Sequence, residues 1–405
     1  MRKWVEENII PYASAWEEEE NLPTDIYQKA AKAGILMPMA AGKSIPDEWA
    51  GRFPIIGDVK PEEWDGFHDF IIHDELNRVG GIGVPNGLIG GVTLVMPAVL
   101  KNASRELRER ISKEVFSGQK RLCLAITEPD AGSDVAALAT EAILTPDGKH
   151  YKVNGQKKVS PLPLLILNTI SDVKKLKWIT SGMYADYFFT LTKTSADGMT
   201  MLLIPKSKGV SVRHMKMSGS ASAGTAFVDF DDVLVPVGNV VGERLFISFQ
   251  SVRGARVCLE DAISYASSRE TFGKKLIEHP VIRFKLAHMA RETEALQSWI
   301  ETLIFQLDSL SAADAELILA GQIAQLKAHS GIVLQNVVRD AIQILGGIGL
   351  TRGGRGERVE RIWRDVKAIS VPGGSEEIML DLSVRRAVKA VEILRGKTGV
   401  AKAML

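Results

Sequence analysis

The hydrophobic period of this chain changes twice, which restricts it to a helix, strand, helix order. Up to residue 118 the apolar residues recur at helical spacing. A helix is expected behind Pro23, with Thr24 and Asp25 in its first turn and Gly34 placed to stop it. From Arg121 the period shortens to that of strands, with β-prone runs at residues 122–126, 139–145, 151–153, 187–191, 201–204 and 226–230. Pro146-Asp147-Gly148 and Ala196-Asp197-Gly198 are turn signals between them. Past Pro236 the helical spacing returns. Leu286, Met289, Ala290, Thr293, Leu296, Ile300, Leu303, Ile304 and Leu307 trace one stripe, and Ser311 with Asp314 opens a second long helix that runs toward Ile344. The last third reads as an antiparallel helix bundle.

Composition removes several function classes. With 405 residues the chain is long enough for two or three domains. Fifty Lys and Arg against 49 Asp and Glu leave a net charge of +1, too little field to hold nucleic acid or an anionic membrane. Cys123 and Cys258 both lie in apolar segments far apart, so no disulfide framework or zinc-ligand spacing exists and a reducing compartment is expected. The seven histidines form no HExxH pattern, and no metal is expected. Runs such as 159–170 are broken by proline and fall short of the ~18 apolar residues a membrane span needs, so the chain reads as soluble. Residues 1–8 carry two basic and two acidic side chains and no readable targeting signal, which leaves mitochondrial or cytoplasmic placement open. Gly81-Ile82-Gly83 is followed by Pro85 and Asn86 rather than by a dinucleotide-binding turn, and no phosphate loop or serine-hydrolase elbow is found.

Three loops remain. A β-run ends in Thr127-Glu128-Pro129-Asp130-Ala131-Gly132-Ser133-Asp134, and taken alone its Ser133 reads as a turn cap. Trp178-Ile179-Thr180 ends a short strand in hydroxyls and glycine, where Trp178 could equally be a core residue. Gln343-Ile344-Leu345-Gly346-Gly347 stops a helix in glycines. In this order, and together with Arg269-Glu270-Thr271-Phe272-Gly273-Lys274 and Trp363-Arg364-Asp365, the chain resembles the acyl-CoA dehydrogenase family of flavoproteins from about residue 25 to 386. The resemblance implies an α+β fold with an N-terminal helical domain (1–121), a central β-barrel-like domain (122–237) and a C-terminal four-helix bundle (238–405).

It also implies FAD as cofactor, an acyl-CoA substrate, a role in fatty acid metabolism, a homotetramer, and electron transfer to an electron-transferring flavoprotein. Carried over by position, Leu124, Ile126 and Thr127, with Trp178, Ile179 and Thr180, would face the flavin ring. Ser133 would lie near the CoA side of the thioester. Arg269, Phe272, Gln343, Gly346 and Gly347 would reach a neighbouring subunit's FAD, and Ser375 and Glu377 would sit by its adenosine half. The chemistry is consistent with those roles: Arg pairs with phosphate bidentately, glycines admit close approach, and Trp covers a ring face.

The reaction the resemblance implies takes a proton from the carbon alpha to the thioester and a hydride from the beta carbon, so one carboxylate must serve as base. In many relatives that residue is a Glu matching Gly373 here. A minority carry it in a Glu-Arg pair on the first helix of the C-terminal domain, which matches Glu243-Arg244. Glu243 is the candidate base, with the alternative that it is only the acid of a Val-Gly-Glu loop. Glu376 reads better as a helix-start acid. Two departures stand out: an apolar insertion at 159–177 that interrupts the strand expected to lead to Trp178, and a shortened segment before Glu243. Both are of the kind that an altered coding transcript produces. Beside the dehydrogenase stand two other readings, an oxygen-using acyl-CoA oxidase or related flavin oxidase, and a non-catalytic homologue.

Overall fold

In the computed structural model the described residues are 1–42, 45, 49, 51–128, 131–132, 134–146, 150–155, 176–194, 199–236 and 246–398. The N-terminal part is helical: α1 (Arg2–Asn8), α2 (Ala13–Glu18), α3 (Thr24–Lys32), α4 (Leu36–Ala41), α5 (Gly66–Asn77), α6 (Gly83–Pro85), α7 (Gly91–Asn102) and α8 (Arg105–Phe116). Gly34, at φ +76°, lets the chain turn away just past α3, where an L side chain would be strained. Between α6 and α7 the helix widens into a π-turn, Asn86–Gly90. The apolar faces share a core that includes Ile26, Leu36, Leu76, Val95 and Ile111 and also takes in Leu122 and Phe189 of the sheet.

Two sheets curl around the second core. The larger has the order β1 (Leu122–Ala125), β5 (Tyr187–Lys193), β2 (Glu141–Leu144), β3 (His150–Asn154), β9 (Val233–Pro236), with β6 (Met199–Pro205) also on β5. The smaller has the order β4 (Leu176–Ile179), β8 (Ala226–Phe230), β7 (Val210–His214). Phe188, Ile204, Val228, Phe230 and Val235 fill the space between them. Strand β5 is buried on both faces because Phe189 faces the N-terminal helices while Phe188 faces this core, so its run lacks polar alternation. Strand β3 belongs to the larger sheet and β4, which contains Trp178, to the smaller, and residues 159–175 of the insertion lie outside the described residues.

The C-terminal part has four long helices, α9 (Phe246–Ser268), α10 (Pro280–Ser309), α11 (Ala312–Leu345) and, after the shorter α12 (Glu357–Ser370), α13 (Glu376–Thr398). Helix α11 packs against each of the others. On α10 the buried residues include Leu286, Met289, Leu296, Ile300 and Leu303, from the expected stripe. Ser311 caps α11 by accepting the Asp314 N–H at 3.2 Å. Arg269–Lys274 forms a hairpin, with β10 (Glu270–Thr271) and β11 (Lys274–Lys275) joined at Phe272 and Gly273. The expectation about membrane spans needs correction. Two stretches, Gly83–Asn102 and Ala313–Leu350, are long and apolar enough to cross a membrane by length and composition, and more than half of each candidate window is buried inside the fold.

The three parts meet at two buried carboxylates. Asp365 of α12 accepts the Ile82 N–H at 2.9 Å and the Ser220 hydroxyl at 3.0 Å. Glu17 of α2 accepts the Ala221 N–H at 2.8 Å, and the Ser222 N–H and hydroxyl at 3.1 and 2.7 Å. Both therefore grip one turn of the β domain, residues 220–224, whose end residues Ser220 and Gly224 have φ of 55° and 63°. Arg361 adds a bond to the Val79 carbonyl, and Arg253 pairs bidentately with Asp74. A β-carbon at Gly83 would collide with Ser222 Oγ and Glu17, so the contact requires glycine there.

Burial, then the charge of Glu17, raises the Asp365 pKa to about 6, against the pull of its two donors and Arg364. A group whose folded pKa lies above its unfolded value of about 4 binds more protons folded than unfolded between those limits, so its contribution to stability falls as pH rises from about 4 to about 6. Asp365→Asn can keep both bonds, with Oδ1 toward Ile82 and the amide toward the Ser220 hydroxyl, and is expected to flatten that part of the profile. Asp365→Leu strands both donors and should cost roughly 3 kcal/mol or more. Melting temperatures of the three proteins between pH 4 and 7 check both expectations.

Candidate active site

The residues expected to flank a flavin fall on two strand ends from different sheets. Leu122 and Leu124 of β1 pack toward the N-terminal helices while Cys123 and Ala125 enter the β core, and Leu124, Ile126 and Thr127 are half-buried along this seam. Strand β4 lies against β1. Its pairing with β8 shifts register between Leu176 and Ile179. The shift leaves Trp178 at φ 56° and 52% exposed, while Ile179 is buried and Thr180 half-buried. An exposed indole on a strained backbone is not a core tryptophan, which removes that alternative and leaves a ring available to a ligand.

Side chains outside the expected set hold these ends. Glu128 is buried, and its carboxylate accepts the Ala139 N–H at 2.7 Å, the Thr140 N–H at 2.8 Å and the Thr140 hydroxyl at 2.5 Å, pinning the loop after Thr127 to the start of β2. Ser181, at φ 62°, gives its N–H to the Ala223 carbonyl at 2.9 Å. The Tyr184 hydroxyl donates to the Ser222 carbonyl at 3.1 Å and accepts from the Leu22 N–H at 2.8 Å. The segment after Trp178 is thereby tied to the same 220–224 turn that Asp365 and Glu17 grip. Ser133 lies outside the described residues.

Arg269, Phe272, Gln343, Gly346 and Gly347 gather at one end of the helical bundle. Arg355 donates to the Ser268 hydroxyl at 2.8 Å, bringing the turn 354–356 to the end of α9, and that turn packs on residues 346–350. All five residues are exposed, Phe272 at 97%. A β-carbon at Gly346 or Gly347 would meet open space, so the loop offers bare backbone beside a cation, a fitting surface for a phosphate brought from outside this chain.

Ser375 and Glu377 begin α13. The Glu377 N–H and the Ser375 hydroxyl hold the Glu377 carboxyl below the ordinary carboxylate range. The preceding loop is stapled by Lys327, 1% exposed, whose Nζ donates to the Ser370 carbonyl at 2.6 Å and also to that of Gly374. Gly373 has φ 72°, a conformation that strains an L side chain, and a β-carbon there would lie 2.8 Å from the terminal methyl of Ile247, which would have to shift. Glu243, three positions before the first residue of α9, lies outside the described residues.

Three family models match along the chain: the acyl-CoA dehydrogenase N-terminal domain at residues 1–119, its middle domain at 123–162 and its C-terminal domain at 235–388. The chain belongs to the acyl-CoA dehydrogenase family. The acyl-CoA dehydrogenase apdG of Emericella nidulans is 37% identical over 423 residues, covering 99% of this chain and 92% of that protein. Among solved structures, a probable acyl-CoA dehydrogenase from Mycobacterium abscessus superposes with a TM-score of 0.79 at 28% identity, covering 95% and 96% of the two chains. An acyl-CoA dehydrogenase from Bacillus anthracis complexed with FAD has a TM-score of 0.78 at 22% identity, covering 98% of this chain and 68% of that one.

A residue other than glycine at 373 would be strained chiefly by the positive φ, and the tip of Ile247 would have to turn aside. Gly373→Ala is expected to destabilise the protein by roughly 1–3 kcal/mol, from the positive φ and the Ile247 contact together. Adding Ile247→Ala should relieve the contact with residue 373 and leave the backbone cost, a non-additivity that urea titration of the single and double variants will measure.

Proposed function

We propose that this member of the family is an FAD-dependent dehydrogenase that places a double bond between the α and β carbons of an acyl-CoA thioester, with Glu243 as base. The observation that supports this choice of base is the glycine at 373, which brings no carboxylate and sits at a positive φ of 72° that disfavours a side chain. The tip of Ile247, in the first turn of α9, lies beside Gly373, and Glu243 comes three positions before the first residue of that helix. Three extended residues span at most about 11 Å, which bounds the length of chain between Glu243 and that turn.

FAD, when bound, accepts the hydride that leaves the β carbon. Glu243 takes the α proton at a carboxylate oxygen, and a site closed to water favours this by raising the carboxylate's proton affinity. Leu124, Ile126, Thr127, Ile179 and Thr180 line and hydrogen-bond the ring's edge from the two strand ends, and Trp178 covers its face. Ser133 contacts the CoA side of the substrate. Arg269 and Gln343, with the bare backbone of Gly346 and Gly347, hold the pyrophosphate of a partner subunit's cofactor, with Phe272 beside it. Ser375 and Glu377 stand at its adenosine half. This reading calls for a homotetramer. The exposed apolar residues Val281 and Phe284 on α10, and Val384 and Val388 on α13, are available for such an assembly. Electrons then pass to an electron-transferring flavoprotein.

Anaerobic mixing of the FAD-loaded protein with a panel of acyl-CoA thioesters should bleach the flavin's visible band. Glu243→Gln should retain FAD and slow bleaching by roughly 100- to 10,000-fold. A variant that bleaches as fast as the parent sinks the assignment of the base. A protein that stays colourless after addition of FAD sinks the dehydrogenase reading altogether, and fast reoxidation by air would point to an oxidase.

A further inference from the structure

The π-turn Asn86–Gly90 interrupts the helix that runs through the middle of the molecule, and wide turns of this kind recur at functional sites. Its first residue, Asn86, bonds in two directions. The side-chain Oδ1 accepts a hydrogen bond from Gln250 Nε2 at 2.6 Å, and the backbone carbonyl accepts one from the Ser181 hydroxyl at 3.0 Å. Gln250 and Ser181 are each 3% exposed, so neither bond is readily exchanged for water. Gln250 lies in the second turn of α9, the helix that Glu243 precedes, while Ser181 directly follows Trp178-Ile179-Thr180. A single residue of the N-terminal part therefore bonds both α9 and the segment that follows Trp178.

The rest of this helix cannot slide to accommodate a change. A β-carbon at Gly87 would come within 3.0 Å of Leu22 Cδ2 and the Ser222 carbonyl, and one at Gly91 would overlap the Leu122 carbonyl of β1. The face opposite Gln250 is thus seated on the β domain, and the position of Asn86 relative to the strand ends is set by backbone contact.

We propose that Asn86 is a positioning residue: its carboxamide fixes the height of the first turns of α9, and its carbonyl fixes the Trp178–Ser181 segment, so that the start of α9 and the cofactor wall are held at one distance. This rests on the dehydrogenase reading with Glu243 as base, and the two bonds can be cut separately. Asn86→Leu removes only the link to Gln250 and is expected to slow thioester-dependent bleaching about tenfold, with KM and the FAD dissociation constant unchanged. Asn86→Asp, which keeps an acceptor for Gln250, should recover most of the rate, and Asn86→Leu with Gln250→Leu should be no slower than the worse single variant. Ser181→Ala cuts the other link and should shift the visible band of bound FAD and weaken FAD binding about tenfold, a readout that needs no turnover.

An Asn86→Leu protein as fast as an active parent overturns the proposal, as does a rate loss that Asn86→Asp fails to restore. If the parent bleaches with no thioester, the dehydrogenase reading fails on its own account. The Ser181→Ala spectrum then decides the positioning role, an unmoved band overturning it and a moved band supporting it.

Discussion

Two buried carboxylates, Asp365 with no exposed surface and Glu17 with 8%, join the three parts of this protein. Asp365 and Glu17 come from opposite ends of the sequence and close on the single turn 220–224 of the β domain. Taking a charge out of water is expensive unless donors replace the solvent, and here backbone N–H groups and serine hydroxyls do so. Because donors and acceptors together come from all three parts of the chain, the junction forms only when the helices, the sheets and the bundle are in register together. The raised pKa of Asp365 is the cost that remains after those bonds are made.

The candidate site inherits its geometry from that junction. The segment after Trp178 is bonded to the gripped turn through Ser181 and Tyr184, and α6 is pressed onto it at Gly83. Helix α9 is fixed from the other side by Arg253 with Asp74 and by Gln250 with Asn86. The strand ends of the β domain and the first turns of α9 are therefore referred to the same set of buried bonds. The loop at Gly373 is held separately, by the bonds of Lys327 to its backbone, and its positive φ at 373 disfavours a side chain.

Much of the architecture was legible in the chain's own periodicity. The helix ending at Gly34, the cap at Ser311, the stripe on α10 and the glycine stop after Leu345 are local features, written within a few residues of where they act. Strands β7 and β9 are not legible in the sequence, because runs of four or five residues at a sheet margin, such as Val210–His214 with Ser211 and Arg213 between its valines, look like loop. The membrane-length stretch at Gly83–Asn102 was overlooked because its glycines and prolines break the apolar run in sequence, while the π-turn carries the helix through them in space.

The sequence by itself determined the order of the layers, the family resemblance and the absence of a carboxylate at position 373, since each depends on residue identity and spacing alone. Only the tertiary structure decided that Asp365 is a buried clamp, that Trp178 is exposed, that Glu128 and Lys327 pin the loops beside the site, and that Asn86 bonds both α9 and the segment that follows Trp178. Burial and hydrogen-bond partnership arise between residues that are distant along the chain, and no local pattern encodes which distant donor a side chain will meet.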